Sequence, residues 1–370
     1  MINVLLYCYF PFFEKHLGGG VQVWIRKLVE QINMSNEVRI DIICPKSDLH
    51  TLYNSDCVHA EIEDLEVNGI EPQKYSSYLN IIKSYEEKAD VIWIIDREFP
   101  IRTKKPFVMS LNTICYEREL KALFNNPWSN LCVVSEFEKN KIKNIFDDRD
   151  IRKIPIFIDE IFRKCDKEQS QSVIQKYFRY DSNCKYILFP HRPEMEKGIF
   201  DAIEVLNELI KHDESYRLLV PCQPDSRVAD YKKEGDFIKK IKLYVCEKKL
   251  EEYVVFHDWI EYNDLPFYYS IGLVTLFPTT LPETFGTTLI HSIACSTPVI
   301  SYGSGALEET VPNGLGHYVL NRDRIEVAKF IQKENFEDIK VGVDYVYRMY
   351  EMKKSVREYM DIFLDLGGKK

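Results

Sequence analysis

Positive charge is in short supply in this sequence of 370 residues: 49 Lys and Arg face 58 Asp and Glu, for a net charge of −9 and an isoelectric point of about 5.6. That balance argues against a general nucleic-acid binder, which needs a strongly basic face. Paired cysteines are lacking too. The ten cysteines (Cys8, Cys44, Cys57, Cys115, Cys132, Cys165, Cys184, Cys222, Cys246 and Cys295) stand singly, with no C-x-x-C among them. Several fall in apolar runs, so they read as reduced core thiols of a cytosolic protein and not as a disulfide framework. No ligand spacing supports a zinc site. No run approaches the roughly 20 apolar residues that span a bilayer. The opening MINVLLYCYFPFF has no basic leader and polar sequence follows at once, so it reads as a first buried strand and not as a signal peptide. At 45% hydrophobic and 29% charged, nothing points to disorder or low complexity.

What is present is a repeated alternation. The length favours two domains of roughly 150–200 residues. β-Branched runs at 2–10, 38–44, 91–95, 107–111 and 131–134 predict strands in the first half. Between the first two, Val21, Trp24, Ile25, Leu28, Val29 and Ile32 share one helical face. The pattern restarts with strands at 186–190, 217–220, 253–256, 273–277 and 298–301, and a helix over 198–211 that turns Ile199, Ile203, Leu206 and Ile210 inward. Continuous apolar strands separated by amphipathic helices predict parallel sheets covered on both faces. The expected fold is α/β, with two Rossmann-like domains at 1–165 and 166–345 and a ligand crevice between them. The polar stretch 163–183 reads as the connection plus a leading helix. A terminal helix at about 345–370 is expected to cross back onto the first domain.

Three segments point to phosphate and sugar chemistry. HLGGGVQVW (16–24) sets Gly18, Gly19 and Gly20 between the first strand and first helix. Glycines permit close backbone approach, and a helix N-terminus offers N–H groups to an anion; a plain tight turn fits the triplet as well. YILFPHRPEMEKG (186–198) places Arg192 and Lys197 just past a strand end, where a fork and a point charge can grip a diphosphate. The bland alternative is a solvated basic pair beside Glu194 and Glu196. In LFPTTLPETFGTTLIHSIACSTPVIS (276–301), Glu283 precedes a helix opened by Gly286. A carboxylate there can accept from sugar hydroxyls while the N–H groups of Gly286, Thr287 and Thr288 face an anion; simple helix capping is its alternative.

Taken in order, these segments resemble glycosyltransferase family 4 and its retaining GT-B relatives. HRPEMEKG is similar to the G-R-x4-K-G segment of that family, and PTTLPETFGTTLIHSIACSTPVI to its P-S-x-x-E-x-F-G run. SYGSGALEETVPNGLGHYVL (301–320) resembles the glycine-rich loop and tail, and VVFHDWIEYNDLPFYYSIGLVTLFP (254–278) the strand–helix–strand before it. GGGVQVWIRKLVEQI, CVVSEFEKNKI (132–142) and KIPIFID (153–159) extend the likeness to nearly the whole chain. The resemblance implies a GT-B fold with two Rossmann-like domains facing across a cleft, the first (1–165) on the acceptor side and the second (166–345) binding the nucleotide sugar. It implies a transferase that moves a sugar from a nucleoside-diphosphate sugar to a hydroxyl with retention, in polysaccharide or glycoconjugate assembly, with no metal and no cofactor. Arg192 and Lys197 would neutralise the leaving diphosphate and Glu283 would contact the transferred sugar. Phe285, Gly286 and Thr287 would hold sugar or phosphate through backbone, and Gly18, Gly19 and Gly20 would close on the phosphates. The acceptor would be a glycan, a lipid-linked compound or a small molecule, with no nucleic acid involved.

Departures from the family pattern matter. Its second glutamate, which grips the ribose, is His291 here, which leaves the nucleotide open; a buried helix histidine is the alternative. SLNT puts Asn112 where the family often has a histidine. His191 replaces a glycine, and His16 lies beside the glycine loop; both are candidates to line the cleft or to be structural. Asp148-Arg149-Asp150 fits a D-x-D metal motif by letter only. Basic clusters at 102–105 and 139–143 are either solvated faces or a peripheral contact with anionic lipid; a cytoplasmic protein, free or at the inner membrane face, is expected. Two rival functions stand: a non-catalytic partner or glycan-binding subunit, and a sugar-nucleotide epimerase.

Overall fold

A computed structural model describes residues 1–8, 10, 12, 20–45, 59–62, 72–113, 117–146, 150–222, 231–333 and 339–368. His16, Gly18, Gly19, Asp148 and Arg149 lie outside the described residues. The chain divides into two compact units: Met1–Phe157 with Met352–Lys370, and Ile158–Glu351. The division falls before the polar stretch because Phe162 and Cys165 are held within the second unit. Phe162 stacks on His291 and the Cys165 N–H donates to Ser270 Oγ at 2.9 Å.

The first unit is built on seven parallel strands: β1 (Ile2–Tyr7), β2 (Val38–Pro45), β3 (His59–Ile62), β4 (Val91–Ile95), β5 (Phe107–Leu111), β6 (Asn130–Val133) and β7 (Ile151–Lys153). Their order is β3-β2-β1-β4-β5-β6-β7. Every residue of β4 and β5 is buried, as unbroken apolar runs in a doubly covered sheet require. The apolar stretch after β1 leaves the ladder at Tyr7, yet Cys8, Phe10 and Phe12 stay buried, so burial outlasts pairing there. Helix Gly20–Asn33 buries the expected Trp24, Ile25, Leu28, Val29 and Ile32, with Val23 in place of Val21. The C-terminal helix Met352–Leu366 packs Tyr359 and Phe363 on Trp93, with ring centroids 5.3 and 5.4 Å away. Ser110 Oγ ties them further, accepting from Trp93 Nε1 at 2.8 Å and bonding to the Tyr359 hydroxyl at 2.9 Å.

The second unit carries six parallel strands: β8 (Lys185–Leu188), β9 (Tyr216–Pro221), β10 (Val254–His257), β11 (Gly272–Phe277), β12 (Val299–Ser301) and β13 (His317–Tyr318). The order is β10-β9-β8-β11-β12-β13. Helix Ile199–Ile210 lays Ile199, Ala202, Ile203, Val205, Leu206 and Leu209 onto this sheet. In each sheet the strand order reverses once, between β1 and β4 and between β8 and β11. Loops that leave the carboxyl ends on either side of such a reversal diverge and open a crevice, the usual ligand position in open α/β sheets. We expect Leu206→Ala, at a position with 0% exposure, to cost about 2–5 kcal/mol in urea unfolding. Leu243→Ala, at a position 64% exposed, is expected to stay within about 0.5 kcal/mol.

Candidate functional site

Three loops meet at the β8–β11 reversal of the second unit. The loop after β8 ends at Gly198, whose φ is +80°. A Cβ at this position would lie 2.1 Å from the Pro278 carbonyl oxygen, so only glycine lets the loop rest on the end of β11. Its neighbour Glu196 offers its carbonyl to the Thr280 N–H at 2.9 Å and to the Thr279 and Thr280 hydroxyls at 3.2 and 3.3 Å. Thus fastened, Lys197 Nζ donates to Glu283 Oε1 in the loop after β11. The two side chains are 26% and 18% exposed, so the pair is sheltered yet reachable from solvent.

The third loop, after β12, fixes the backbone of Glu283. Gly305 has φ +75°, and a Cβ there would sit 2.3 Å from the Glu283 carbonyl oxygen. The Glu283 N–H donates to Ser304 O at 3.2 Å, and the Ala306 N–H to Glu283 O at 2.8 Å. Gly286, at φ +89°, then turns the chain into helix Thr287–Ala294 without a side-chain cap. The first-turn N–H groups of a helix have no intrahelical partner and carry the positive end of its dipole. Phe285 is buried with its ring edge-on to Tyr350 at 5.2 Å, so its side chain is a wedge and only its backbone borders the loop cluster. Arg192, 49% exposed with Nε 3.4 Å from Glu194, keeps a guanidinium free to reorient.

The histidines pack against aromatic rings. His191 is buried against Phe277 (4.2 Å) and Phe189, with Nε2 donating to Leu276 O at 3.3 Å. Burial, then the Lys197 charge, holds its pKa well below the ordinary value. His291 stacks parallel on Phe162 at 3.7 Å, with Tyr269 and Tyr262 edge-on at 6.3 and 6.5 Å. Burial pushes its pKa down to about 3, against a small opposing pull from Asp159. A neutral ring at this position cannot replace a carboxylate as an acceptor-only group. In the first unit, Asn112 is buried at the end of β5 and donates its N–H to Asp96 Oδ1 at 2.8 Å. Gly20 opens the first helix.

Sequence reasoning passed over Thr279, Thr280 and Ser304, which fasten the loops; polar residues in a glycine-rich loop give no periodic signal. Among the described residues no three His, Cys, Asp or Glu side chains converge as a metal site. No described helix is long and apolar enough to cross a membrane. Within the basic clusters, Lys105 Nζ donates to Ala89 O at 2.7 Å and Lys141 lies over the Phe137 ring.

The second unit is a doubly wound α/β unit with a cation, a carboxylate and a helix N-terminus gathered at its strand-order reversal, the usual ligand position in such sheets. Residues 171–359 match the family described as "Glycosyl transferases group 1", and the chain belongs to that family. Its fold is similar to that of sucrose-phosphate synthase from Thermosynechococcus elongatus, with TM-score 0.81, 18% identity and 99% of each chain covered. It is also similar to Anabaena HepE in complex with UDP and glucose, with TM-score 0.75, 13% identity, and 99% of this chain and 100% of that one covered. An "Uncharacterized 41.2 kDa protein in cps region" of Klebsiella pneumoniae is 22% identical over 345 residues, 83% of this chain and 85% of that one. The architecture is GT-B.

Buried neutral histidines make the second unit acid-sensitive. His257, with its pKa pushed down to about 4 by burial, joins His191 and His291. Each has a folded pKa below its unfolded value, so its contribution to stability is complete above about pH 6.5 and lost as pH falls below it. We expect stability to drop by about 1 kcal/mol per pH unit per histidine between about pH 6 and 4. In urea titrations at several pH values, His291→Leu should remove one such increment from the slope; an unchanged slope would mean that His291 is not held neutral.

Proposed function

We propose that the chain transfers a sugar from a nucleoside-diphosphate sugar to a hydroxyl acceptor with retention of configuration. The Lys197–Glu283 pair, joined at the β8–β11 reversal beneath an uncapped helix N-terminus, carries this reading. When donor binds, Lys197 turns from the carboxylate to the diphosphate, where Arg192 and the first-turn N–H groups at Thr287 and Thr288 add positive charge. Glu283, released from its partner and still fixed by Gly305 and Ala306, accepts from hydroxyls of the transferred sugar. The complex of HepE with UDP and glucose supports a uridine nucleotide as the first donor to try.

Cleavage places negative charge on the departing diphosphate and positive charge on the sugar ring. Cations brought to the first as donor binds, and a carboxylate near the second, stabilise both. Attack from the face the diphosphate leaves gives retention, and the diphosphate oxygen takes the acceptor proton. Neutralisation by Arg192 and Lys197 means that no divalent ion is required, so activity should persist in EDTA. Assembly of a polysaccharide or glycoconjugate is the proposed setting, with no resident cofactor.

The test is a calorimetric panel of UDP, GDP, ADP, TDP, CDP and CMP, followed by turnover of the matching sugar nucleotide. One diphosphate should stabilise the wild-type chain. Arg192→Ala and Lys197→Ala should each weaken its binding by about ten- to a hundredfold, the loss of a charge-assisted contact. Glu283→Gln should lower turnover by about a hundredfold while leaving nucleotide affinity within about threefold. Undiminished binding in both cation variants would remove these residues from the site.

A further inference from the structure

The loop that carries Lys197 is fastened to the end of β11 at consecutive positions, from Phe277 to Thr280. His191 lies against the Phe277 ring with centroids 4.2 Å apart, and Gly198 rests on Pro278. The Glu196 carbonyl accepts from Thr279 and Thr280. At Pro278, Thr279 and Thr280 these contacts set the course of the backbone. Phe277 differs, because its ring has a second neighbour. Lys197 Nζ stands over it, 5.8 Å from the centroid.

An aromatic face carries partial negative charge and attracts an ammonium within about 6 Å, the more so where water is excluded. Phe277 is 2% exposed and is the last residue of β11, so the sheet carries its ring and a loop does not. His191 fixes that ring in turn. It is buried, bonds to Leu276 O through Nε2, and has Phe189 edge-on at 5.0 Å. Burial, then the Lys197 charge, keeps His191 uncharged near neutral pH, so it does not compete with Lys197 for the ring. Lysine, by contrast, is a point charge on a flexible four-carbon stem. Glu283 holds that charge in the absence of donor and gives it up when the diphosphate arrives, whereas the ring stays in place.

We propose that Phe277, held by His191, is a positioning residue for Lys197, its ring face keeping the ammonium within reach of the donor diphosphate once Glu283 has been released. Glu283 is the resting partner of the cation, and the ring is a second partner that the donor does not displace. An aliphatic side chain at this position would fill the same space without attracting the cation. The role rests on the donor reading, in which Lys197 meets the diphosphate.

The test replaces Phe277 in the full chain by mono-, di- and trifluorophenylalanine, which draw charge from the ring face with little change of shape. Calorimetry then follows the nucleoside diphosphate that the wild type binds, UDP first, and the matching monophosphate. Diphosphate affinity should fall stepwise with fluorine number, by about two- to tenfold at three fluorines. Monophosphate affinity should stay within about twofold, since that ligand lacks the β-phosphate. In a Lys197→Ala background fluorination should change neither, because the cation is gone. Phe277→Leu should match the trifluoro chain; if it fails to fold, the nearly isosteric fluorinated chains decide. Diphosphate affinity that ignores fluorine, an equal loss for both ligands, or the same loss in Lys197→Ala would overturn the positioning role. A wild type that binds none of the nucleoside diphosphates would instead overturn the donor reading beneath it.

Discussion

One ion pair organises the second unit's loop cluster. Lys197 and Glu283 stand 86 positions apart in the chain, and their contact exists only because the backbone packs closely around it. Gly198 lets the first loop lie on Pro278, and Gly305 lets the third loop lie on Glu283 itself. A side chain at either position would force apart the groups that the chemistry needs together. At their partial exposure the pair adds little to stability. Its importance is positional, since it holds a cation and a carboxylate ready for opposite charges of one ligand.

Much of this was legible in the sequence. Unbroken apolar runs announced β4 and β5 to the residue, because strands covered on both faces leave no room for polar alternation. Arg192, Lys197, Glu283 and Gly286 stood out through spacing, and the structure brings the loops that carry them to one strand-order reversal. The strands that escaped notice, β3, β7 and β13, are sheet-edge strands (HAEI, IRK and HY) with one side unpaired and no apolar run to betray them. Ser304 escaped for a related reason. Its part is played by its backbone carbonyl, which the identity of a side chain does not reveal.

His291 is a position that motif reading alone leaves open. Position alone set it among nucleotide-binding residues. The structure adds Phe162 lying flat against its ring, in the segment by which the chain enters the second unit, and burial that keeps it neutral. Glu138 is the converse case. Its S-x-x-E spacing after β6 marks an ordinary helix start, and Ser135 does accept the Glu138 N–H. Only three-dimensional packing reveals that one of its carboxyl oxygens is left buried and unpaired.

The central claim, that Lys197 leaves Glu283 for the diphosphate of the donor, is tested most directly by phosphorus NMR of the bound nucleoside diphosphate. The account predicts that binding to the wild type shifts the β-phosphorus resonance, and that at saturation Lys197→Ala diminishes the shift while Glu283→Gln preserves it. A β-phosphorus resonance that responds identically in wild type and Lys197→Ala would contradict it.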